Sequence, residues 1–116
     1  MTTRPLRGEV WRVNFEPQVG SETKKARPAV VISEDSIGRL PLRIVVPITD
    51  WKAGYAKLPW FHQLNPTAEN GLTKVSGADG FQVKSVSLER FSKKLGALTA
   101  DETEGVAACV ALCIGV

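Results

Sequence analysis

KKARPAVVIS, residues 24–33, carries a basic lead-in that ends in Arg27-Pro28 and passes straight into the apolar run Ala29-Val30-Val31-Ile32. A short unbroken apolar run bounded by a proline and a serine reads as a strand buried on both faces. One permanently charged guanidinium thus stands at the mouth of a core strand, where it can touch a ligand while its neighbours are locked by packing. The pattern recurs at residues 44–50, IVVPITD, where a second apolar run meets Pro47 and delivers Thr49 and Asp50 to a strand end. Arg27 and Thr49 are expected to meet in space.

Outward from these two strands, residues 7–15 alternate, with Trp11, Val13 and Phe15 on one face and Val10, Arg12 and Asn14 on the other, as in a half-buried strand. Trp11 is expected in the core. The segment EPQVGSETKKA (16–26) has no periodicity and is long for a connection, which favours a lid or binding loop. A polar turn at 34–38 precedes the third strand, 42–49. Asp50 to Leu58 reads as an exposed loop, and Trp60 to Leu64 as a short fourth strand. Gly71–Ser76 and Phe81–Val86 are expected to form a hairpin through Gly77-Ala78-Asp79-Gly80, a run rich in residues that tolerate positive φ. Residues 87–90 suggest one helical turn and 91–97 a last strand. Thr99 then opens a helix: Glu102 follows at capping-box spacing, and Val106, Cys109, Val110 and Cys113 fall at i, i+3, i+4 and i+7. Many short strands with one terminal helix make a mainly β fold, a small curled antiparallel sheet or barrel.

The 116 residues suit one domain, 1–116, with 43% hydrophobic content. The longest apolar runs fall far short of the roughly 20 residues of a membrane span, and Met1–Leu6 has no apolar signal region. The expectation is a cytoplasmic protein without a membrane partner. A net charge of +3 mildly favours a polyanionic partner. Its distribution says more, because Arg4, Arg7, Arg12, Lys24, Lys25, Arg27, Arg39 and Arg43 crowd the first half and hint at a basic face. Cys109 and Cys113 read as small apolar groups on one helix side, and His62 is the one histidine, so neither a metal nor a cofactor is expected.

Five blocks in series, RGEVWRVNFEP, GSETKKARPAVVIS, VVPIT, FQVKS and LTADETEGVAACVALCIGV, together resemble the MazF/PemK family of toxin endoribonucleases. The resemblance runs over nearly the whole chain. It implies an SH3-like small barrel of the PemK/CcdB toxin type with a C-terminal helix, a homodimer, and a cognate MazE-like antitoxin. It also implies metal-independent, sequence-specific cleavage of single-stranded RNA, mRNA included, by attack of the ribose 2′-hydroxyl on the adjacent phosphate. An exposed apolar patch on so small a fold would agree with the dimer.

The family's catalytic arginine maps onto Arg27, and its threonine after the third-strand proline onto Thr49. A cation and a hydroxyl donor are what the chemistry asks for, since charge develops on the phosphoryl oxygens. Glu22 matches a family glutamate near the active site and is a candidate to orient the loop or accept a proton. Gln82 and Lys84 match polar residues that contact RNA; Lys24, Lys25, Asp50 and Trp51 complete the expected RNA surface. Trp51, Tyr55 and Trp60 suit either base stacking or packing. Phe81 departs from the family, where many relatives carry an aspartate that in some PemK-like members is thought to act as the base. Strand alternation would then set Gln82 and Lys84 toward RNA and Phe81 inward as core, while Asp79 falls in the turn. The rival functions are a CcdB-like toxin acting on gyrase and an SH3-like peptide-binding module.

Overall fold

The computed structural model describes residues 4–116 apart from Gln18, Lys24 and Gly38. Strand β2 (Ala26–Val31) lies antiparallel beside β3 (Leu42–Asp50), with Val30 opposite Val46 and Val31 opposite Val45. Ala29, Val30, Val31, Val45 and Val46 are fully buried, as expected of runs with no polar face. Alternation sorts them into two cores. Val30, Val46 and Ile48 join Val10, Leu64, Ala78 and Val106 on one side of the sheet. Ala29, Val31 and Val45 join Val13, Phe15, Val86 and Phe91 on the other. Each buried valine contributes about 1.5 to 3 kcal/mol over an exposed one.

Strand β1 (Glu9–Asn14) pairs with β2 on one edge and with β7 (Phe91–Ala97) on the other. Trp11 is half-buried and meets Phe91 edge-on at 5.8 Å. Lys94 bonds Glu9 at 2.9 Å across this pairing. Burial raises the Glu9 carboxyl, but hydrogen bonds from Leu6, Lys94 and Trp11 outweigh it and hold the group below its usual range.

Helix α1 (Ala100–Cys113) begins at the expected cap, where Thr99 Oγ1 accepts from Glu102 N and Glu102 accepts from Thr99 N. Its Val106 and Cys109 are buried, and the helix covers β4 (Phe61–Leu64) and the 3-10 turn Gly80–Gln82. Gly105 admits the His62 ring, which fills the space where a Cβ would stand. His62 is thus packed under the helix. Among the described residues no helix is long and apolar enough to cross a membrane.

With β5 (Ser76–Asp79) and β6 (Lys84–Ser87), the sheet has seven strands in the order β4-β5-β3-β2-β1-β7, with β6 also bonded to β3. All pairs are antiparallel. The mainly β architecture with a terminal helix is as expected, and the sheet is curled but open, with β4 and β7 as its path ends.

The expected hairpin over residues 71–86 does not form. The residues read as its turn are largely β5, which pairs with both β3 and β4. Here Val45 to Ile48 of β3 face Lys84 back to Ala78, so three residues, Gly80–Gln82, are extruded as the 3-10 turn. The glycines serve for smallness rather than for φ. A Cβ on Gly77 would lie 3.0 Å from Trp51 Cε3 and 3.1 Å from Phe61 Cδ1, and one on Gly80 would lie 3.1 Å from Cys109 Cβ. The positive φ sits instead at Gly71, at 70°. Phe81, expected inward, is 60% exposed, because a 3-10 turn does not alternate its side chains as a strand does.

Gly77→Val tests this. Valine's strand propensity alone favours the change, but the ring contacts make it overpacking, so stability should fall by about 1 to 3 kcal/mol. Denaturant titration would check it, and a gain in stability would contradict the packing described.

Candidate functional site

Two prolines open the sheet where the site lies. Ile32 N donates to Ile44 O at 2.9 Å, which sets the phase of the β2–β3 ladder: even residues of each strand bond to the other, at 32/44, 30/46 and then 28/48. Pro28 has no N–H to offer Ile48, and the ladder stops. On β3 the odd residues bond toward β5 and β6, and there Pro47 lacks a donor at the level of the extruded turn. Continuing the register two residues past Ala29–Pro47 sets Arg27 opposite Thr49 on strand ends that no longer pair.

Arg27 and Thr49 both line a cavity of about 310 Å³ that opens at this gap, with Glu22 and Pro47 on its wall. The two residues expected to meet are thus brought to one cavity. Asp79, Tyr55 and Gln82 line the same cavity. Asp79 ends β5 and accepts from Phe81 N at 3.1 Å. Burial pushes its carboxyl above the usual aspartate range, against the N–H groups of Phe81 and Gln82, which pull the other way. In the sequence Asp79 reads as a turn residue. Its one signal was an Asp before a Gly, and that same step is the cap that aims it here. Tyr55 stacks on Phe61 with ring centroids 3.9 Å apart and planes 10° apart.

Gln82, expected to face RNA, spends its amide on the long loop. Its Nε2 donates to Ser21 O at 2.9 Å, and its Oε1 accepts from Thr23 N at 3.1 Å and Thr23 Oγ1 at 3.3 Å. Phe15 N donates to Lys25 O at 3.0 Å and closes the loop at its base. Within it, Glu22 accepts from Val19 N at 2.8 Å. Lys25 is exposed in a left-handed conformation, φ 57°; Lys24 lies outside the described residues.

A second cavity, about 210 Å³, meets the first at Arg27 and Thr49 and carries Arg12, Lys74 and Asp50. Asp50 pairs there with Lys74 at 3.4 Å, both side chains largely exposed. Lys84 lies on a third, with Phe81, Glu22, Thr23 and Gln82. Trp51 is half-buried, edge-on to Tyr55 and Phe61 at 5.7 and 6.5 Å, as a support rather than a wall. The basic face divides: Arg7 and Arg43 are spent on the fold, Arg7 on Ile32 O and Glu104, Arg43 on the carbonyls of Pro5, Leu40 and Leu42. Arg12 and Arg27 are the pair that reach the site.

The model of the family described as "PemK-like, MazF-like toxin of type II toxin-antitoxin system" matches residues 6–114. The endoribonuclease MazF9 of Mycobacterium tuberculosis is 34% identical, over 83% of this chain and 84% of its own. Among solved structures, MazF from Deinococcus radiodurans superposes with a TM-score of 0.82 at 26% identity, over 98% of this chain and 99% of that one. A mycobacterial endoribonuclease solved with its cognate antitoxin has the same fold, with a TM-score of 0.76 at 18% identity over 97% of each chain. The match over almost the whole sequence and the common fold place the chain in one family: it belongs to the PemK-like, MazF-like toxins of type II toxin-antitoxin systems.

Proposed function

We propose that this toxin is a metal-independent endoribonuclease acting in the cytoplasm on single-stranded RNA, with the Arg27–Thr49 cavity as its active site. The observation that carries the reading is that a guanidinium, a hydroxyl and a carboxyl of raised pKa line one cavity at a break in the sheet. In the reaction the Asp79 carboxylate takes the proton of the ribose 2′-hydroxyl. The 2′-oxygen bonds to phosphorus, the bond from phosphorus to O5′ breaks, and O5′ takes a proton from water. The products are a 2′,3′-cyclic phosphate and a 5′-hydroxyl end. Arg27 and Thr49 donate to the phosphoryl oxygens as charge builds on them. Glu22 and Gln82 position the loop over the cavity, and Arg12, Lys74, Lys84 and the two loop lysines, Lys24 and Lys25, attract the RNA backbone. A gyrase-directed toxin or a peptide-binding module would have no use for this set of groups on one wall.

Arg27→Ala should abolish cleavage of a long transcript in excess EDTA while leaving the melting temperature nearly unchanged, and Arg27→Lys should rescue poorly because it loses the bidentate fork. Thr49→Val should slow the single-turnover rate about a hundredfold. Products carrying a 5′-phosphate, or full activity in Arg27→Ala, would remove the mechanism.

Asp79 gives a pH test with two opposite signs. As a base it acts only when ionised, so kcat/KM should fall on the acid side with a midpoint above that of an ordinary aspartate. Asp79→Asn should remove that limb and lower the rate about a hundred- to ten-thousandfold. For stability, the folded-state pKa lies above the ordinary value of 3.8, so the contribution of Asp79 is fully present below that value and is lost as pH rises through the folded one. Asp79→Asn should therefore melt no lower than wild type at pH 7, and a clear loss there would contradict the assignment.

The toxin works as a homodimer under a protein antitoxin. Leu6, Ile37, Leu40, Leu42 and Ile44 form an exposed apolar wall, with Arg4, Arg43, Glu34 and Asp35 around it, and a rim of both signs suits pairing of a surface with itself. Sedimentation should give the mass of two chains for wild type and one for Ile44→Asp. Two chains in both would place the interface elsewhere.

A further inference from the structure

Beside the Arg27–Thr49 cavity lies the one that holds Phe81 and Lys84, about 240 Å³, and the two share Glu22, Thr23 and Gln82. Phe81 is the residue that the three-residue extrusion pushes out of the sheet. It is 60% exposed, yet its ring is not loose. Trp60 meets it edge-on at 5.3 Å with planes 89° apart, and Asp79 fixes its backbone N–H. An aromatic face held in place and left in water offers stacking at little ordering cost. Lys84, half-buried on the same wall, supplies one cation.

We infer that this cavity is a nucleotide subsite, in which the base next to the scissile phosphate stacks on Phe81 while Lys84 holds its backbone. The inference rests on the endoribonuclease reading above and adds to it the residue that grips a flanking base. Glu22 on the wall opposes a second bare phosphate as the occupant, whereas a base brings a neutral π-face and leaves its phosphate to Lys84. A single braced ring tolerates any base face, so Phe81 sets affinity at one position rather than the identity of that base.

The test first maps cut sites on a long transcript with wild-type protein. A short RNA spanning one site, with hydrogen replacing the attacking 2′-hydroxyl, then binds without being cut. A series of such RNAs carries one abasic residue at each position around the cut. Phe81→Ala and Phe81→Leu should each weaken binding of the intact RNA about 5- to 100-fold, Phe81→Tyr about twofold or less, and all three should melt as wild type does. An abasic residue at one position flanking the cut should cost wild type a similar factor and cost Phe81→Ala almost nothing. An equal abasic penalty in both proteins, or full affinity in Phe81→Leu, would overturn the stacking role. So would unchanged RNA binding alongside weaker binding of antitoxin peptide, or alongside a change in oligomeric mass, which would give the ring to a protein partner. A wild-type protein that cuts no transcript would end the endoribonuclease reading itself, whereas one that cuts with Phe81→Ala indistinguishable ends only this inference.

Discussion

The missing N–H groups of Pro28 and Pro47 are the constraint on which the site depends. Strand β3 is bonded on both edges, to β2 on one side and to β6 and then β5 on the other. A strand so placed normally continues both ladders to its end, because an unpaired buried N–H or C=O is costly. Here one proline removes a donor from each ladder at the same level. The neighbours are released together: β2 parts from β3 before Arg27, and the facing run extrudes three residues before pairing again. A cavity opens between elements that are otherwise rigid. Arg27, Thr49 and Asp79 reach it from the ends of core strands, which is how a small sheet can hold such groups in place.

The two-sided burial of the same strands accounts for that rigidity. Val30 and Val46 are pinned under the helix-side core, while Ala29, Val31 and Val45 are pinned in the other. Any shift of β2 along β3 would pull apolar groups from both cores at once, and a slip of one residue would exchange every side chain between them. Arg27 and Thr49 sit two residues beyond the last pair of this double anchor, near enough to inherit its precision and far enough to be wet. The helix covers one core only, and its contacts with the Gly80–Gln82 turn join the turn that carries Gln82 to the same packed unit.

What could be read in the sequence was whatever rests on hydrophobic period or local capping. The runs at 29–31 and 45–48 declare burial by lacking polar alternation, though Ile44 just ahead of the second is exposed, and Thr99 with Glu102 declares a helix start by chemistry confined to four residues. Residues 71–86 could not be read in this way. Gly77 and Gly80 look like turn glycines, but their cause is distant in sequence: the rings of Trp51 and Phe61 over one, and Cys109 of the helix against the other. Glycine chosen for closeness and glycine chosen for φ are the same letter. The misread turn carried further errors with it, hiding the β5 strand, the exposure of Phe81 and the place of Asp79 at the cavity.

Gln82 shows why a polar residue at a site need not touch what the site acts on. A glutamine amide is both donor and acceptor, and this one uses both ends on the loop, giving to Ser21 O and accepting from Thr23. The backbone of the loop from Glu16 to Lys25 forms no ladder among the described residues, and side chains reach it instead: Arg90 donates to Glu16 O and Gln82 bonds Ser21 and Thr23. A charged carboxylate at position 82 could keep the Thr23 bonds but not the one to Ser21, and a lysine could do only the reverse. The loop brings Glu22 to the cavity wall, while Arg27, Asp79 and Thr49 arrive there from the sheet. One neutral amide in the extruded turn is thus a link between the two, and it ties the geometry of the loop to the same sheet defect that exposes Phe81.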